Sequence, residues 1–397
     1  MKPAITLIFP NSPFLIDTGV FPPLGILYLS SFLKQHDIAV QCLDMGAGHT
    51  KDMAESDTIG ISITTPQKEE AFNLAHYYKK QGKRLIAGGA HATHMPNECF
   101  DAGFDFVVNG YGEHKLLNIL NDNGYHKKPN INEIPFPDRD ALPIKDYKYF
   151  INGRATTPIM TSRGCFGACS FCAKIDKTFK MQNADRTVDE ILHINKKYGF
   201  DAFMIYDDVF IAKKSRFRNI SERLKDKNFL FRCFARTNLI DDEICELMNQ
   251  MGIVEVGLGA ESGSDTILKN NMKGTTVETN TIAVKMLQKH GIRAKTFIII
   301  GLPGESKETL YETERWINET KPDDVDFTIF QPMPGSDIFK NTNKYDIIFN
   351  YNGNPSWYKG TPGKYNCNIS TSSLTSKELL YYRDHFEEKY KNQELLR

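Results

Sequence analysis

Short hydrophobic runs alternate with helical patterns along most of this chain, and the alternation is interrupted once before its middle. Each run suits a buried strand, and the segment after it carries apolar residues every three to four positions, as an amphipathic helix does. Repeated strand–helix units of this kind are typical of parallel sheets covered by helices. The pattern therefore predicts an α/β protein built from two such series.

The first series covers residues 1–125 and predicts a doubly wound, Rossmann-like parallel sheet. Its strands are predicted at Ile5–Phe9, Ala39–Asp44, Thr58–Thr64, Arg84–Ala87 and Phe104–Val108, with helices at Leu24–Gln35 and Glu69–Gln81. Ligands of such sheets bind beyond the carboxyl ends of the strands. The loops at those ends are small and polar, and they read Asn11-Ser12, Ser62-Ile63-Thr64-Thr65, Gly88-Gly89-Ala90-His91 and Gly110-Tyr111-Gly112-Glu113. We interpret His91 and His94 as surface residues of these loops.

Residues 126–155 are rich in Pro, Asn and Asp without a sustained period, which predicts a linker. A second series follows in residues 156–336, with strands predicted at Ile159–Ser162, Ala202–Tyr206, Phe231–Ala235, Val254–Leu258, Ala294–Ile300 and Asp326–Phe330. Its first helix is predicted at Thr187–Tyr198, where Thr187-Val188-Asp189-Glu190 reads as a capping box. Six strand–helix units fit a partial (β/α)6, TIM-like barrel, whose chemistry gathers at the carboxyl ends of the strands. Residues 337–397 predict a small cap with a final helix from Ser376 to Lys391. Its aromatic residues could line a pocket or pack over the barrel mouth: Tyr345, Phe349, Tyr351, Trp357, Tyr358 and Tyr365.

Three cysteines follow the first strand of the second series. Cys165, Cys169 and Cys172 are spaced by four and three residues, and Gly164 and Gly167 let the backbone wrap closely. Thiolates with this spacing can hold a cubane iron–sulfur cluster. Such a cluster has one more iron than these cysteines can bind, and no fourth cysteine lies nearby, so one iron would stay open to a small molecule. A structural zinc site is the alternative, although zinc usually takes a fourth Cys or His close by.

Composition narrows the class of protein. The 397 residues include 49 Lys and Arg against 49 Asp and Glu, and this zero net charge argues against a nucleic-acid partner. Eight cysteines, three of them clustered, fit a reduced compartment better than a disulfide framework. The amino terminus lacks a signal-peptide pattern, and no stretch approaches the roughly 20 apolar residues that a membrane span needs. We expect a cytoplasmic protein without a membrane span.

The loop from Thr161 to Cys172 resembles the signature of radical S-adenosylmethionine (SAM) enzymes, in which the open iron chelates SAM. The segments Pro22–Ile26, Gly88–Thr93 and Asp105–Glu113 resemble the cobalamin-binding domain that precedes the radical domain in the cobalamin-dependent, class B branch of that family. The resemblance implies a [4Fe–4S] cluster, SAM and cobalamin as cofactors. It implies SAM contacts near the strand ends, at Phe171, Asp207, Asp208, Arg236, Glu261, Ser262, Ile299, Gly301 and Met333. It implies cobalamin contacts at Asn11, Ser12, Ser62, Thr64, Thr65, Gly88, Gly89, Gly110, Tyr111, Gly112 and Glu113. No Asp-x-His-x-x-Gly follows the first strand, so no histidine is offered there as a lower ligand to cobalt.

The resemblance also implies an activity. The cluster would cleave SAM to a 5′-deoxyadenosyl radical, and methylcobalamin would methylate an unactivated carbon of a small-molecule or peptide substrate. A reductant such as flavodoxin or ferredoxin would supply electrons. The alternatives are a radical SAM cyclase, ring-contraction or rearrangement enzyme that transfers no methyl group, a sheet domain that binds nothing, and a non-catalytic iron–sulfur scaffold. A methylthiotransferase would need a second set of three cysteines, and the first domain has only Cys42 and Cys99.

Overall fold

The computed structural model describes residues 2–12, 15, 17–121, 130–176, 178–349 and 363–391. Of the aromatic residues predicted in the cap, Tyr351, Trp357 and Tyr358 lie outside these ranges. No helix in the described ranges is both long enough and apolar enough to cross a membrane.

A five-stranded parallel sheet forms the amino-terminal part, with the strand order β2-β1-β3-β4-β5. Its strands are β1 (Ile5–Phe9), β2 (Val40–Asp44), β3 (Thr58–Ser62), β4 (Arg84–Gly88) and β5 (Phe106–Val107). Its helices are α1 (Leu24–Lys34), α2 (Lys68–Lys80), α3 (Gly89–His94), α4 (Pro96–Asp101) and α5 (Glu113–Asn121). α1 and α5 cover one face of the sheet, and α2, α3 and α4 cover the other. The expected doubly wound sheet is confirmed, and its order reverses at β1 and β3, where ligands of such folds bind.

A curled seven-stranded sheet forms the second part, with the strand order β14-β13-β12-β11-β10-β7-β6. Its first six strands in that order are parallel, and the edge strand β6 is antiparallel to β7. The strands of this region are β6 (Phe150–Ile151), β7 (Arg154–Ile159), β8 (Ser162–Arg163), β9 (Lys180–Met181), β10 (Ala202–Ile205), β11 (Leu230–Ala235), β12 (Ile253–Glu261), β13 (Arg293–Ile300) and β14 (Asp324–Ile329). Its helices are α6 (Ala184–Tyr198), α7 (Lys214–Leu224), α8 (Asp242–Met251), α9 (Asp265–Asn270), α10 (Val277–Lys289) and α11 (Lys307–Thr320). This is the predicted partial barrel.

The remaining elements close the barrel at its β14 edge. They are α12 (Asp337–Lys340), β15 (Ile348–Phe349), β16 (Ile369–Ser370) and α13 (Ser376–Tyr390). β15 and β16 pair with each other, and α13 packs against β13 and β14. Helix α13 begins with a capping box, because the Thr375 hydroxyl and the Glu378 side chain satisfy each other's backbone amides.

Side chains alternate across the barrel strands and so define its two faces. On β11, Phe231, Cys233 and Ala235 are buried in the core beneath the helices. Arg232 and Phe234 are half-buried and point to the opposite, concave face. The concave face is thus lined by side chains that keep partial access to solvent.

Two expectations for the start of the barrel are wrong in detail. Its first strand is β7, at Arg154–Ile159, and not Ile159–Ser162, since Ser162 and Arg163 pair instead with β9. Helix α6 begins at Ala184 and not at Thr187, because the Asn183 side chain accepts a hydrogen bond from the Arg186 amide at 2.8 Å. An asparagine cap satisfies a free amide as well as a threonine capping box does.

The described part of the predicted linker is packed against both sheets. The buried Arg139 donates to the Thr157 hydroxyl at 2.8 Å and to the Pro158 carbonyl at 2.6 Å. The Tyr147 hydroxyl donates to Asp44 of the first sheet at 2.7 Å. These bonds fix the two sheets relative to each other.

Candidate active site

The cysteine loop leaves the carboxyl end of β7 and is closed at its base by the β8–β9 pair. Gly164 has φ +81°, and a Cβ there would lie 2.4 Å from the Thr178 carbonyl oxygen, so the turn requires glycine. The Lys174 ammonium donates to the carbonyl of Cys165 at 2.8 Å and to that of Gly167. The loop is therefore held in shape by its own residues.

The three sulfurs are free and reachable. Cys165 and Cys169 are half-buried, Cys172 is exposed, and none forms a disulfide. Desolvation of the sulfur, and then the charges of Cys169, Asp208 and Cys165, raise the pKa of the Cys172 thiol to about 11. Bound iron would offset this repulsion, because it coordinates thiolates. No group of three His, Cys, Asp or Glu side chains in the described ranges converges on one ion, but in a cubane each thiolate binds a different iron. The loop thus fits a cluster better than it fits one zinc ion.

Arg236 follows β11 and reaches the cysteine loop. Its Nη1 lies 3.7 Å from the Cys169 sulfur, and its Nη2 donates to the Lys273 carbonyl at 2.5 Å. A Cβ on Gly167 would lie 2.6 Å from that Nη1, so glycine is what allows the close approach. The Arg236 Nε is buried and has no partner in the described part of the chain. A cation with an unused donor beside the cluster loop fits the carboxylate group of SAM.

Glu261 ends β12 in a strained conformation. Its φ is +66°, and the pairing of β12 with β13 shifts register there. Its carboxylate accepts a hydrogen bond from the Lys273 ammonium at 2.6 Å, and both side chains are almost completely buried. Backbone strain of this kind in a residue other than glycine is typical of functional sites. Lys273 was missed by the sequence analysis, because it follows α9 in a loop with no strand-end position to mark it.

The adjacent residues Asp207 and Asp208 have different environments. Asp207 is completely buried, and its two oxygens accept from the amide and hydroxyl of Thr161 at 2.5 and 2.6 Å. Asp207 therefore anchors the start of the cysteine loop. Asp208 is exposed and close enough to Cys172 for its charge to raise the pKa of that thiol. Of the two, Asp208 is the one placed to meet a ligand.

The other residues predicted to contact SAM fall into two groups. Phe171, Ile299 and Met333 are half-buried, near the cysteine loop, on the concave face of β13 and after β14 respectively. Ser262 is completely buried, and its hydroxyl lies 3.2 Å from that of Thr313. The hydroxyl of Ser262 is thus used inside the fold.

Gly301 also serves the fold. It has φ +86°, and its amide donates to the buried carboxylate of Glu305. A Cβ at Gly301 would lie 3.1 Å from Ile369, so the carboxyl-terminal segment packs directly on this turn.

Two of the hydroxyl groups predicted to contact cobalamin, those of Ser12 and Thr64, are bonded to the side chain of Gln67. This side chain is 1% exposed and donates to the Pro10 carbonyl at 2.8 Å and to the Ser12 hydroxyl at 2.9 Å. It accepts from the Thr64 hydroxyl at 2.6 Å. Gln67 therefore ties the loop after β1 to the loop after β3. The sequence analysis missed it, since a single glutamine before a helix carries no signal.

The two histidines of this region are not surface residues, which corrects the expectation. His91 is 1% exposed in α3, with its Nδ1 3.3 Å from the Thr65 hydroxyl. Burial lowers the pKa of His91 to about 4, although Glu98 acts in the opposite direction. His94 is half-buried, and its ring lies 2.5 Å from where a Cβ of Gly335 would be.

What remains open in these loops is backbone. A Cβ on Gly88 or on Gly110 would meet no atom within 4 Å, so both glycines border free space. Asn11 and Ser62 are half-buried beside them at the carboxyl ends of β1 and β3. Gly89 and Gly112 serve packing instead, because a Cβ would lie 2.6 Å from the Ile63 carbonyl and 3.1 Å from Leu29 respectively. An open, backbone-lined edge at the carboxyl ends of the parallel strands fits a bulky planar ligand such as cobalamin.

The cobalamin-like loops and the cysteine loop touch each other. Glu113, at the start of α5, accepts a hydrogen bond from Arg163 at 2.6 Å. The Arg163 guanidinium also lies 4.6 Å from the centre of the Tyr111 ring. The loops that follow the carboxyl ends of the two parallel sheets are therefore in direct contact.

Aromatic rings continue from this site along the concave face of the barrel. Phe21 lies 5.4 Å from Tyr206, Tyr206 lies 6.2 Å from Phe234, and Phe234 lies 5.9 Å from Phe297, measured between ring centroids. Tyr206 is 46% exposed and directly precedes Asp207. This row of aromatic rings therefore passes beside the start of the cysteine loop, which Asp207 anchors.

Comparisons with known proteins agree with this two-part site. Residues 159–317 match the family model of the radical SAM superfamily, and residues 17–120 match that of the B12 binding domain. An uncharacterised methyltransferase from Pyrococcus horikoshii is 29% identical over 389 residues, which cover 86% of this chain and 82% of the relative. An anaerobic magnesium-protoporphyrin IX monomethyl ester cyclase from Rubrivivax gelatinosus is 26% identical over 380 residues, which cover 84% and 68% respectively.

Solved structures show the same architecture. The radical SAM methyltransferase TsrM from Kitasatospora setae, with cobalamin and a [4Fe–4S] cluster bound, matches with a TM-score of 0.71 at 14% identity. The match covers 97% of this chain and 85% of that one, and at this identity it establishes the fold. The two matched domains imply a [4Fe–4S] cluster, SAM and cobalamin as cofactors. The chain therefore combines a domain that matches the radical SAM superfamily with an amino-terminal domain that matches the B12-binding family, as cobalamin-dependent radical SAM enzymes do.

Proposed function

We propose that this protein is a cobalamin-dependent radical SAM methyltransferase that methylates an unactivated carbon. The observation that carries the proposal is the contact between Arg163 and Glu113, which joins the cysteine loop to the cobalamin-like loops. When bound, the cluster and SAM supply a radical that removes hydrogen from carbon, and cobalamin supplies the methyl group. Both must act on the same carbon, so both must open to one site.

The chain's own residues divide the work of holding these groups. Cys165, Cys169 and Cys172 bind the cluster, and Arg236 and Asp208 bind the carboxylate and amino groups of SAM. Among the remaining SAM contacts, we keep Glu261, held by Lys273, together with Phe171, Ile299 and Met333. The open backbone at Gly88 and Gly110, with Asn11 and Ser62, forms the cobalamin cradle. For the domains, we keep 1–125, 126–155, 156–336 and 337–397, except that β6 and the start of β7 move from the end of the linker into the barrel.

We propose that the acceptor is a small molecule with a flat, apolar face. Tyr206, Phe234 and Phe297 offer ring faces on the concave side of the barrel, and such rings bind planar groups by offset stacking. The chain's zero net charge supports a substrate other than a nucleic acid. A peptide that presents an aromatic side chain is the second form that such an acceptor could take.

A cyclase or rearrangement enzyme is the second candidate, favoured by the similarity to the magnesium-protoporphyrin ester cyclase. We prefer the methyltransferase because the relative with higher identity is named a methyltransferase. The fold is also shared over nearly the whole chain with a methyltransferase structure.

Electron supply and location are part of the same proposal. Reductive cleavage of SAM needs a low-potential donor, for which a flavodoxin or ferredoxin is suitable. A cluster held by three free thiols is best kept in a reducing compartment, so we place the protein in the cytoplasm.

Isotope transfer separates the two candidates. The reconstituted protein is incubated anaerobically with a reductant, SAM deuterated in its methyl group, and a small-molecule extract. A methyltransferase yields a product whose mass contains the deuterated methyl group, whereas a cyclase yields a new product without deuterium. The Cys169→Ala protein serves as the control and should yield neither.

A further inference from the structure

One buried ion pair joins the base of the cysteine loop to the first sheet domain. Arg163 precedes Cys165 by two residues, and its Nη2 lies 2.6 Å from the Glu113 Oε1. The Arg163 side chain is 10% exposed and that of Glu113 is 4% exposed. Removing either partner of such a pair would leave a buried charge uncompensated, which is strongly unfavourable.

The surroundings of the guanidinium come from the first domain. The Tyr111 ring centre lies 4.6 Å from it and the Tyr28 ring centre 5.5 Å from it. Both distances suit cation–π contact. The side chain of a residue in the radical domain is thus enclosed by three side chains of the other domain.

The backbone at Arg163 is equally fixed. Ser162 and Arg163 pair with Met181 and Lys180, and this short ladder closes the base of the cysteine loop. Because this ladder holds the backbone at Arg163, a displacement of its side chain would also displace the cysteine loop.

On the other side, the contact continues into the glycine loops. The amide of Gly110 donates to the Thr93 hydroxyl at 2.9 Å, and that hydroxyl donates to the Gly89 carbonyl at 2.8 Å. Glu113 is only three residues beyond Gly110. Arg163 is thus linked, through Glu113 and the short backbone segment before it, to Gly110 at the edge of the open cradle.

We propose that Arg163 is a positioning residue that fixes the cluster loop relative to the cobalamin loops. The inference rests on the proposed function for its purpose, but the geometric claim stands without it. Radical and methyl donor must meet the same substrate carbon, and a misplacement of about 1 Å can cost about a hundredfold in rate. In this account Glu113 binds Arg163 rather than cobalamin, and Tyr111 stacks on the guanidinium.

The test measures the distance between the two domains directly. Glu69, an exposed residue of α2, is replaced by cysteine in the full chain and carries a nitroxide attached after cluster assembly. Pulsed electron paramagnetic resonance then gives the distance distribution between the nitroxide and the reduced cluster. The protein without the introduced cysteine reports any labelling of other thiols. This measurement needs neither cobalamin nor turnover.

We expect one narrow distribution for the otherwise unchanged chain and, for Arg163→Gln and for Glu113→Gln, a distribution at least about twofold broader. Arg163→Lys should be intermediate, because lysine keeps the charge but lacks the planar fork. The double exchange Arg163→Glu with Glu113→Arg should restore part of the narrowness. The matched control is Arg154→Gln, which removes an arginine–aspartate pair with Asp201 on the same barrel and should leave the distribution unchanged.

A distribution of unchanged width in cluster-loaded Arg163→Gln or Glu113→Gln would overturn the proposal. The two single variants lie in different domains, so a folding failure of one leaves the other to decide. A second readout tests the purpose: the ratio of S-adenosylhomocysteine to 5′-deoxyadenosine should fall about tenfold or more in Arg163→Gln. If the distance result holds and no S-adenosylhomocysteine forms even in the unchanged chain, the positioning role stands and the methyltransferase proposal fails.

Discussion

The two halves of the site differ in what they offer a ligand. On the barrel side the groups that we propose to bind ligands are side chains: three thiols, the Arg236 guanidinium and the Asp208 carboxylate. On the sheet side most of the predicted polar side chains are bonded internally, and the accessible surface is backbone at Gly88 and Gly110. A site built from side chains can be recognised in a sequence by residue type and spacing. A site built from backbone leaves only its glycines as a sign.

The difference follows from the ligands. Iron needs specific donor atoms, so residue type and spacing are fixed by its chemistry. A large macrocycle needs space and close approach, which any loop that keeps Cβ atoms away can supply. The comparison predicts that variants of the three thiols lose chemistry outright, while sheet-side variants lose cobalamin affinity in proportion to the added volume.

The largest expected effect is that of Cys169→Ala. It removes one of three iron ligands beside Arg236, so cluster iron and SAM cleavage should be lost, while cobalamin binding is kept. Iron analysis, product chromatography and a cobalamin titration measure the three quantities. Cys367→Ser is the control, since that thiol lies in the carboxyl-terminal segment and is half-buried. Retained SAM cleavage in Cys169→Ala would refute the cluster assignment.

Arg236→Gln should weaken SAM binding by about tenfold to a hundredfold with cluster iron retained. A hydrogen bond to a charged group contributes about 1.5–3 kcal/mol, which converts to that range. Equilibrium binding of SAM to the cluster-loaded protein measures it. Arg218→Gln, which removes an exposed pair with Glu243 on the outer helices, should leave affinity unchanged. Equal affinities for the two variants would remove Arg236 from the SAM site.

Gly88→Leu should reduce cobalamin affinity by about tenfold or more without loss of fold. Gly88 has φ −144°, an extended conformation open to any residue, and its Cβ position faces free space. The added side chain would occupy that space instead of straining the backbone. Gly88→Ala should have a smaller effect, so affinity falls with side-chain volume. Unfolding by urea checks the fold, and unchanged affinity in both variants would place the cradle elsewhere.

Glu305→Gln should change the pH dependence of stability more than it changes the binding of SAM or cobalamin. Burial raises the pKa of the Glu305 carboxyl from 4.5 to about 8, and the Gly301 and Leu302 amides offset only part of that cost. The folded state therefore keeps a proton that the unfolded chain loses above pH 4.5. Stability from this group is highest below that pH and falls until about pH 8.

Glutamine keeps the acceptor without the charge. The difference in the free energy of unfolding between Glu305→Gln and the unchanged protein should therefore increase in favour of the variant from about pH 4.5 to about pH 8. The increase should be of the order of a few kcal/mol. Urea unfolding of the cluster-free protein at several pH values gives the comparison. Glu319→Gln, at an exposed position of α11, is the control. Parallel pH profiles for all three proteins would mean that Glu305 is ionised in the fold.

Much of this architecture could be predicted from hydrophobic periodicity. The order of strands and helices is as expected, because each strand is a short buried run and each helix has one apolar face. The errors are short elements that the pattern did not predict, such as β6 and the β8–β9 pair, and element ends, as at Thr187, where the capping residue is Asn183. Several neighbouring residues there have a similar propensity to cap a helix, as Asn does. The hydrophobic pattern alone therefore does not decide at which residue the helix begins.

Long-range partners could not be predicted. Arg163, Lys273 and Gln67 act through contacts with residues distant in sequence, and nothing local marks them. The sequence likewise groups Asp207 with Asp208, and only the buried bonds to Thr161 separate the anchor from the candidate ligand contact. Spacing predicts a set of metal ligands, but it does not predict which polar residue is used for hydrogen bonds inside the fold.

The central claim is that the cluster site and the cobalamin site open onto one space, in which a single substrate reacts. Its most direct test is anaerobic reconstitution with iron, sulfide and cobalamin, followed by absorption spectroscopy and analysis of SAM products. We predict that cluster and cobalamin bind together, with cobalamin lacking its dimethylbenzimidazole ligand, and that S-adenosylhomocysteine and 5′-deoxyadenosine both form. A cluster-loaded protein that binds no cobalamin and yields 5′-deoxyadenosine alone would contradict the claim.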